Sequence, residues 1–297
     1  MAGPTSPELA DGPSIEDIWS GPIGDWVRVF SVVCAPRGAT RMPWLFVTDA
    51  NGTFAMTVDI VRHLQLGGYL PDMTIVGLGY RATSLGDTAD RRLRDYTPTA
   101  PPSRQQESVL GVGGADRFLH VIEHDLLTSL EDRLPNPTRR VLYGHSLGGL
   151  FALHASFQRP ALFHDFIIAS PSTWWDDHFI DRQIDDRITS STQVPGNFVV
   201  LVGKEESTDG RIAAAAQLDP EFRPPLVEPP RDMAADAETL ATRLACAVDH
   251  DSRVWFHRLQ GEHHVSVPPI AVSHGLRILF DAPGSSLLAA RIERTGS

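Results

Sequence analysis

The stretch from Arg139 to Gln158 constrains the fold of this chain more than any other. Strand-forming residues up to Tyr143 lead into Gly144-His-Ser-Leu-Gly148, and an apolar helical pattern rich in small residues follows at once. This order is typical of a nucleophile elbow, in which a serine occupies a sharp turn between a strand and a helix. Glycines on both sides leave space where a Cβ would clash. The pattern therefore predicts Ser146 as a nucleophile.

The rest of the chain alternates strand and helix patterns from about residue 44 to the end. The apolar strand patterns are nearly continuous, which indicates burial on both faces in a parallel sheet covered by helices. Besides the elbow, strands are predicted at 25–34, 43–48, 73–78, 163–169, 197–202 and 253–259, and helices at 54–66, 116–133, 233–248 and 270–280. We therefore expect one α/β domain over 21–297, built on a doubly wound, mostly parallel sheet with helices on both faces.

Three segments lack a regular pattern. Prolines and a glycine interrupt residues 1–20, which we expect to form a flexible N-terminal arm. Residues 79–112 are long, polar and interrupted, and predict a loop that frames the substrate pocket. Prolines between 220 and 230 exclude a long helix, so that 207–231 is expected to be a proline-rich flap.

Composition excludes several classes of protein. The formal net charge is -11 and no basic stripe is present, which argues against nucleic acid or an anionic membrane as a partner. The two cysteines, Cys34 and Cys246, are far apart and indicate neither a disulfide framework nor a zinc site. With no leader-like start and no apolar run of membrane-spanning length, the chain is expected to be soluble and cytoplasmic. Nothing implies a metal or an organic cofactor, and the sequence does not set the oligomeric state.

Candidate partners for Ser146 follow the later strands. Loops at the carboxyl ends of parallel strands meet at one edge of the sheet, where ligands bind. A nucleophilic serine needs a histidine that takes its proton and an acid that orients the histidine. Glu205, Glu206 and Asp209 are the candidate acids, and two adjacent histidines are the candidate bases. Position along the chain leaves open which of His263 and His264 is the base.

Other parts of the same edge complete the predicted site. Stabilisation of an oxyanion needs two N–H donors, expected at Leu147 and at either Ala50 or Asn51. Trp174 and Trp175 directly follow a strand end, where both cannot easily face the core. We therefore expect at least one of these two candidate substrate-binding residues to contribute to the wall of the substrate pocket.

Taken together, these stretches resemble the putative-esterase family of α/β hydrolases, especially its bacterial branch of proteins similar to siderophore (enterobactin and salmochelin) esterases. The resemblance covers roughly residues 26–282. It rests on five stretches: Tyr143-Gly-His-Ser-Leu-Gly-Gly-Leu150, Ser170-Pro-Ser-Thr-Trp-Trp175, Arg94-Asp-Tyr-Thr-Pro98, Gly203-Lys-Glu-Glu206 and Gly261-Glu-His-His264. It implies an α/β-hydrolase fold.

The resemblance also implies roles for individual residues. It places the base at His264 and the acid at Glu206, with Glu205 as the alternative acid. The stretches that carry it also supply Arg94, Tyr96 and His145 as candidate substrate-binding residues. Arg94 is a candidate because its position in the long loop would let it contact an anionic or iron-bound substrate.

The function that we expect is that of a serine esterase that cleaves small-molecule esters through an acyl-enzyme, with siderophore-type lactones as the most family-like substrates. An acyltransferase that uses the same serine, histidine and acid is the first alternative. A non-catalytic protein that binds a catecholate or acyl ligand is the second. The chain has Asp49-Ala50 where the family often has Asp-Gly, and its flap is longer than usual.

Overall fold

A single mixed β-sheet organises the computed structural model of the chain, which describes residues 12–36, 38–217 and 231–292. Within these residues the sheet has nine strands in the order β1-β2-β4-β3-β5-β6-β7-β8-β9. The strands are β1 Ser14–Ser20, β2 Asp25–Cys34, β3 Arg41–Val47, β4 Met73–Tyr80, β5 Asn136–His145, β6 Asp165–Ala169, β7 Asn197–Gly203, β8 Val254–Leu259 and β9 Ala290–Arg291. Neighbours from β4 through β8 pair in parallel, whereas β1, β2 and β9 join antiparallel. The predicted doubly wound, mostly parallel sheet is confirmed.

Helices cover both faces of this sheet. They are α1 Ala50–Leu66, α2 Leu85–Tyr96, α3 Ala115–His120, α4 Leu127–Glu131, α5 Leu147–Gln158, α6 Phe179–Ser190, α7 Thr208–Gln217, α8 Met233–Ala247 and α9 Val267–Leu279. On one face α1 packs against α9, and on the other α5 and α8 lie against the central strands, with α6 packed on α8. None of the described helices combines the length and the apolar character that crossing a bilayer requires.

The strand β3 shows why the apolar runs are nearly continuous. Trp44 and Phe46 belong to the core cluster beneath α5 and α8, while Leu45 and Val47 belong to the cluster beneath α1 and α9. Successive side chains of a strand point to opposite faces, so a strand between two helical layers must be apolar at every position.

The strand β1 corrects the expected flexible arm over residues 1–20. Ser14–Ser20 pairs antiparallel with β2 along its whole length. Trp19 packs edge-on against Trp26 with 5.5 Å between the ring centroids, and Asp17 accepts hydrogen bonds from Arg28. The arm prediction is therefore wrong for this segment, because β1 and β2 form a hairpin across the short turn 21–24. Residues 1–11 lie outside the described residues.

Two further segments are more regular than predicted. The expected loop over 79–112 contains α2, whose first turn is capped by the side chain of Ser84, which accepts from the N–H of Asp87. The expected flap over 207–231 contains α7, a helix of ten residues. The prediction of irregular structure is wrong for these two helices, and residues 218–230 of the flap lie outside the described residues.

Close packing of α9 on the sheet depends on a glycine. A Cβ on Gly275 would lie 2.6 Å from the Cγ2 atom of Ile167 in β6, whereas a Cβ on Gly52 in α1 would meet no atom within 4 Å. Alanine favours helix at both positions, so the two substitutions separate packing from helix propensity.

We expect Gly275→Ala to lower the free energy of unfolding by about 1–3 kcal/mol, because overpacking must displace Ile167. Gly52→Ala is the matched control and should raise the same quantity by about 0.5–1 kcal/mol. Denaturant unfolding of both variants measures these effects. An equal change in the free energy of unfolding of the two variants would contradict a packing role for Gly275.

Candidate active site

The turn between β5 and α5 has the geometry of a nucleophile elbow. Ser146 occupies it with φ 59° and ψ -118°, a conformation that non-glycine residues adopt only under constraint. A Cβ on Gly144 would lie 2.0 Å from the carbonyl oxygen of Gly148, and a Cβ on Gly148 would lie 2.4 Å from Oγ1 of Thr48. Glycine at both positions is therefore required for the turn to close against β3.

The N-termini of two helices lie beside this elbow. Leu147 is the first residue of α5, and Ala50 and Asn51 are the first two of α1. N–H groups in the first turn of a helix have no intrahelical partner, so they are available to an oxyanion. The side chain of Asn51 is itself engaged, because its amide exchanges two hydrogen bonds with the backbone of Tyr80.

Asp49, at the start of α1, forms an ion pair with Arg92 of α2. Asp49 adopts a left-handed conformation at the helix N-cap, with φ 57°. Arg92 donates to both of its carboxylate oxygens, at 2.6 and 3.1 Å. Burial raises the pKa of Asp49, and the Arg92 charge opposes that rise. The sequence analysis missed Arg92, whose partner lies 43 positions away along the chain.

A histidine and a buried glutamate meet at the ends of the next strands. Nδ1 of His264 lies 2.6 Å from Oε2 of Glu206, and Glu206 is only 1% exposed. The other oxygen, Oε1, accepts from the Ser170 hydroxyl at 2.5 Å and from the Gly203 N–H at 2.9 Å. Every oxygen of this carboxylate therefore has a donor.

Hydrogen bonding keeps Glu206 ionised despite its burial. Burial by itself raises the pKa of the carboxyl group, but the hydrogen bond and charge of His264, together with the donors Ser170 and Gly203, hold this pKa below its ordinary value. A carboxylate in this state can orient an imidazole and stabilise its protonated form.

The alternative acids do not reach His264. Glu205 and Glu206 belong to the same 3₁₀ turn, Lys204–Glu206, which follows β7. Glu205 lines the cavity described below, and its N–H donates to the carbonyl of Glu262. Asp209 is exposed in the first turn of α7. The structure thus brings together Glu206 and His264, and leaves His263 exposed beside them.

His145 lies behind His264. Their ring centroids are 4.5 Å apart, and Nε2 of His145 is buried. Burial, with the nearby charges of His264 and Arg92, lowers the pKa of His145 to about 3, so that its ring is neutral. It was expected to bind substrate, but it is absent from the cavity lining and contacts the neighbouring imidazole instead.

The prediction that Arg94 binds substrate is also wrong. Arg94 is 6% exposed, and it donates two hydrogen bonds to Asp95 and a third to Asp25 in β2. Each guanidinium nitrogen donates to a carboxylate within the fold, and the side chain is almost fully buried, so Arg94 is not placed to contact a ligand. The contact with Asp25 spans 69 positions of the chain and has no local signal.

Two aromatic candidates are likewise structural. Tyr96 is fully buried, and its hydroxyl accepts from the N–H of Asp49 at 3.1 Å. Trp175 is fully buried, and its indole N–H donates to Thr99 at 3.0 Å. The substrate-binding predictions for both are wrong, because their rings fill the core beside α5. Of the two adjacent tryptophans only Trp174 lines the cavity.

Ser146 and His264 open into one cavity of about 430 Å³. Its lining comes from the ends of β5, β6, β7 and β8 and from α7 and α8: Ser146, Ser172, Trp174, Glu205, Glu206, Arg211, Ala214, Ala215, Arg231, Met233, His263, His264 and Val265. A second cavity of about 650 Å³ shares Trp174 and Arg231 with the first. Ser172, Arg211 and Arg231 were not expected here, although Ser172 belongs to a motif quoted from the sequence.

Two arginines, Arg211 and Arg231, line this cavity together with Glu205 and Glu206. Two guanidinium groups lie near the ring of Trp174, that of Arg231 at 4.1 Å and that of Arg104 at 4.8 Å from its centroid. Burial, followed by the charges of Arg104 and Arg211, lowers the pKa of Arg231. The arginines and the indole of Trp174 are groups that can contact anionic and aromatic parts of a ligand.

A serine on a nucleophile elbow lies with a histidine and a glutamate at the edge of the sheet where the carboxyl ends of the parallel strands meet. This arrangement defines a serine hydrolase of the α/β-hydrolase class. Residues 33–219 match the family described as "Putative esterase", and the chain belongs to this family. It is thus a carboxylic ester hydrolase.

Individual relatives agree with this assignment. The chain is 31% identical to the ferri-bacillibactin esterase BesA of Bacillus subtilis, over 85% of this chain and 83% of that protein. It is 32% identical to the siderophore triacetylfusarinine C esterase of Aspergillus fumigatus, over 82% of this chain and 83% of that protein. The siderophore hydrolase EstA from Aspergillus nidulans has the same fold, with a TM-score of 0.77 at 23% identity over 95% of this chain and 98% of that one.

The hydrogen bond between Glu206 and His264 predicts which glutamate matters. We expect Glu206→Gln to lower kcat on an activated ester by about 10²- to 10⁴-fold, because the amide no longer holds the imidazole in its working tautomer. Glu205→Gln removes the adjacent charge and should change kcat by less than about threefold, since the carboxylate that contacts His264 is that of Glu206. If Glu205→Gln lowered kcat more than Glu206→Gln does, Glu205 and not Glu206 would be the acid.

Proposed function

We propose that this chain is a serine esterase that hydrolyses siderophore-type lactone esters through an acyl-enzyme. The observation that carries the proposal is the contact between His264 and the buried Glu206 on a cavity that also contains Ser146. We refer to Ser146, His264 and Glu206 as the catalytic set.

Each member of the catalytic set has a task that follows from its surroundings. Because Glu206 accepts from Nδ1 of His264, the Nε2 lone pair is left to act as base. The Ser146 oxygen attacks the ester carbonyl carbon as its proton moves to Nε2. The N–H groups of Leu147 and of Ala50 or Asn51 stabilise the oxyanion.

The remaining steps return the enzyme to its starting state. Collapse of the tetrahedral intermediate expels the alcohol, which takes the proton from His264 and leaves the acyl group on Ser146. Water then attacks the acyl-enzyme while His264 accepts its proton, and the carboxylic acid is released as Ser146 is reprotonated.

The cavity wall supports the substrate class. Catecholate siderophores present aromatic rings with negative charge, and the wall offers the indole of Trp174 with two arginines near its ring and Arg211 on the same wall. A cation over an aromatic face and a guanidinium group that donates to an oxyanion are both favourable contacts, and a catecholate could make both with this wall. The names of the two relatives above, each a siderophore esterase, support the same class.

We also place this activity in the cytoplasm. Cys34 is buried and Cys246 is exposed, and both are free thiols. Exposed free thiols suit a reducing compartment.

A fluorophosphonate probe tests the nucleophile. We expect one covalent adduct on the wild type by intact mass, none on Ser146→Ala, and a rate at least about 100-fold lower on His264→Ala, because the base is lost. His263→Ala is the matched control and should react within about threefold of the wild type. Folded wild-type protein that does not react with the probe would contradict the proposal.

Substrate charge is tested with two esters. For a catecholate trilactone, Arg231→Gln and Arg211→Gln should each raise KM about tenfold, since a charge-assisted hydrogen bond is lost. For neutral p-nitrophenyl acetate the same variants should leave KM unchanged.

The control for these variants is Arg41→Gln, which removes an exposed arginine at the start of β3 and hence at the opposite edge of the sheet. It should alter neither KM. An equal rise of KM for the charged and the neutral ester in the Arg211 and Arg231 variants would contradict a role in recognising anionic groups.

A further inference from the structure

The hydroxyl of Ser172 contacts the nucleophile. Ser172 follows β6 in the Ser170-Pro-Ser-Thr-Trp-Trp175 stretch and is 1% exposed. Its Oγ lies 3.3 Å from Oγ of Ser146, and its N–H donates to the Ser146 carbonyl at 3.1 Å. Both the backbone and the side chain of Ser172 are therefore held against the elbow.

The turn that carries Ser172 also holds the acid. Ser170, two positions earlier, donates its hydroxyl to Glu206 and its N–H to the carbonyl of Leu201. Its φ of 43° is a constrained conformation for serine. One turn thus touches both ends of the catalytic set, through Ser170 at the acid and Ser172 at the nucleophile.

The direction of the contact between the two hydroxyls follows from the reaction. The Ser146 hydroxyl has one proton, and catalysis requires that this proton point to Nε2 of His264. In that state the Ser146 oxygen can only accept from Ser172. A buried hydroxyl donates to an acceptor within reach, and Ser146 Oγ is in reach of Ser172.

We propose that Ser172 is a further catalytic residue, whose hydroxyl donates a hydrogen bond to the Ser146 oxygen and stabilises the partial negative charge on this oxygen while its proton moves to His264. The inference rests on the proposed esterase function. Hydrogen bonds to an oxygen that gains charge strengthen as the charge grows, so this donor acts more on the transition state than on the ground state.

The proton balance of the step is unchanged by this role. Ser172 keeps its own proton throughout, and the Ser146 proton moves to Nε2 of His264 as the bond between Oγ and the ester carbon forms. The same donor again faces the Ser146 oxygen when that oxygen becomes the leaving group in deacylation. Removal of the donor should therefore slow both half-reactions.

The neighbouring residue supplies a matched control. Thr173 is also 1% exposed, and within the described part of the chain its hydroxyl has no hydrogen-bond partner. Thr173→Val removes a buried hydroxyl from the same turn at nearly constant volume, without touching the nucleophile.

The experiment compares Ser172→Ala, Ser172→Cys and Thr173→Val with the wild type. The rate of fluorophosphonate labelling and kcat on p-nitrophenyl acetate are measured, together with KM and the thermal midpoint. We expect Ser172→Ala to lower both rates by about 10- to 100-fold with KM within about twofold. Ser172→Cys keeps a side chain of similar shape with a weaker donor and should be intermediate. Thr173→Val should match the wild type.

Three results overturn the inference. Labelling of folded Ser172→Ala at the wild-type rate would show that the donor is not used, and faster labelling would show that Ser146 donates to Ser172 instead. If Ser172→Ala does not fold, wild-type rates in Ser172→Cys overturn it equally. A wild type that takes no probe at all contradicts the esterase function itself, and is thereby distinguished from failure of the Ser172 role alone.

Discussion

The buried carboxylate of Glu206 is the interaction on which the rest of the site depends. It joins three strand ends, because its donors come from Gly203 at the end of β7, Ser170 after β6 and His264 after β8. An unpaired buried charge costs several kcal/mol, and the three donors offset that cost. The close contact between the end of β7 and the backbone of Glu262 requires glycine at 203, since a Cβ there would lie 2.2 Å from the carbonyl oxygen of Glu262.

Constrained turns at neighbouring strand ends complete this arrangement. Asp49, Ser146 and Ser170 follow β3, β5 and β6, and all three have positive φ. Such conformations persist only where the surrounding structure holds them, here the parallel sheet and its two helical layers. The sheet thus fixes the proposed nucleophile, the proposed oxyanion donors and the proposed acid before substrate arrives, which is the preorganisation that electrostatic catalysis needs.

Local sequence patterns predicted the elbow and the buried strands, because each depends on residues adjacent in the chain. They left Glu205 and Glu206 open, since only the 3₁₀ turn after β7 decides which side chain points inward; a family resemblance selected Glu206. The same patterns misplaced Arg94 as a ligand for substrate, because its partner Asp25 lies far away in the chain. Pairings of this kind depend on tertiary structure and leave no periodic signal.

The central claim is that ester cleavage proceeds through an acyl group on Ser146. Rapid acid quenching during turnover of an activated ester, followed by intact-mass and peptide analysis, tests it most directly. The account predicts a transient mass increase equal to the acyl group, located on the peptide that contains Ser146. Turnover without any adduct, or an adduct on another residue, would contradict it.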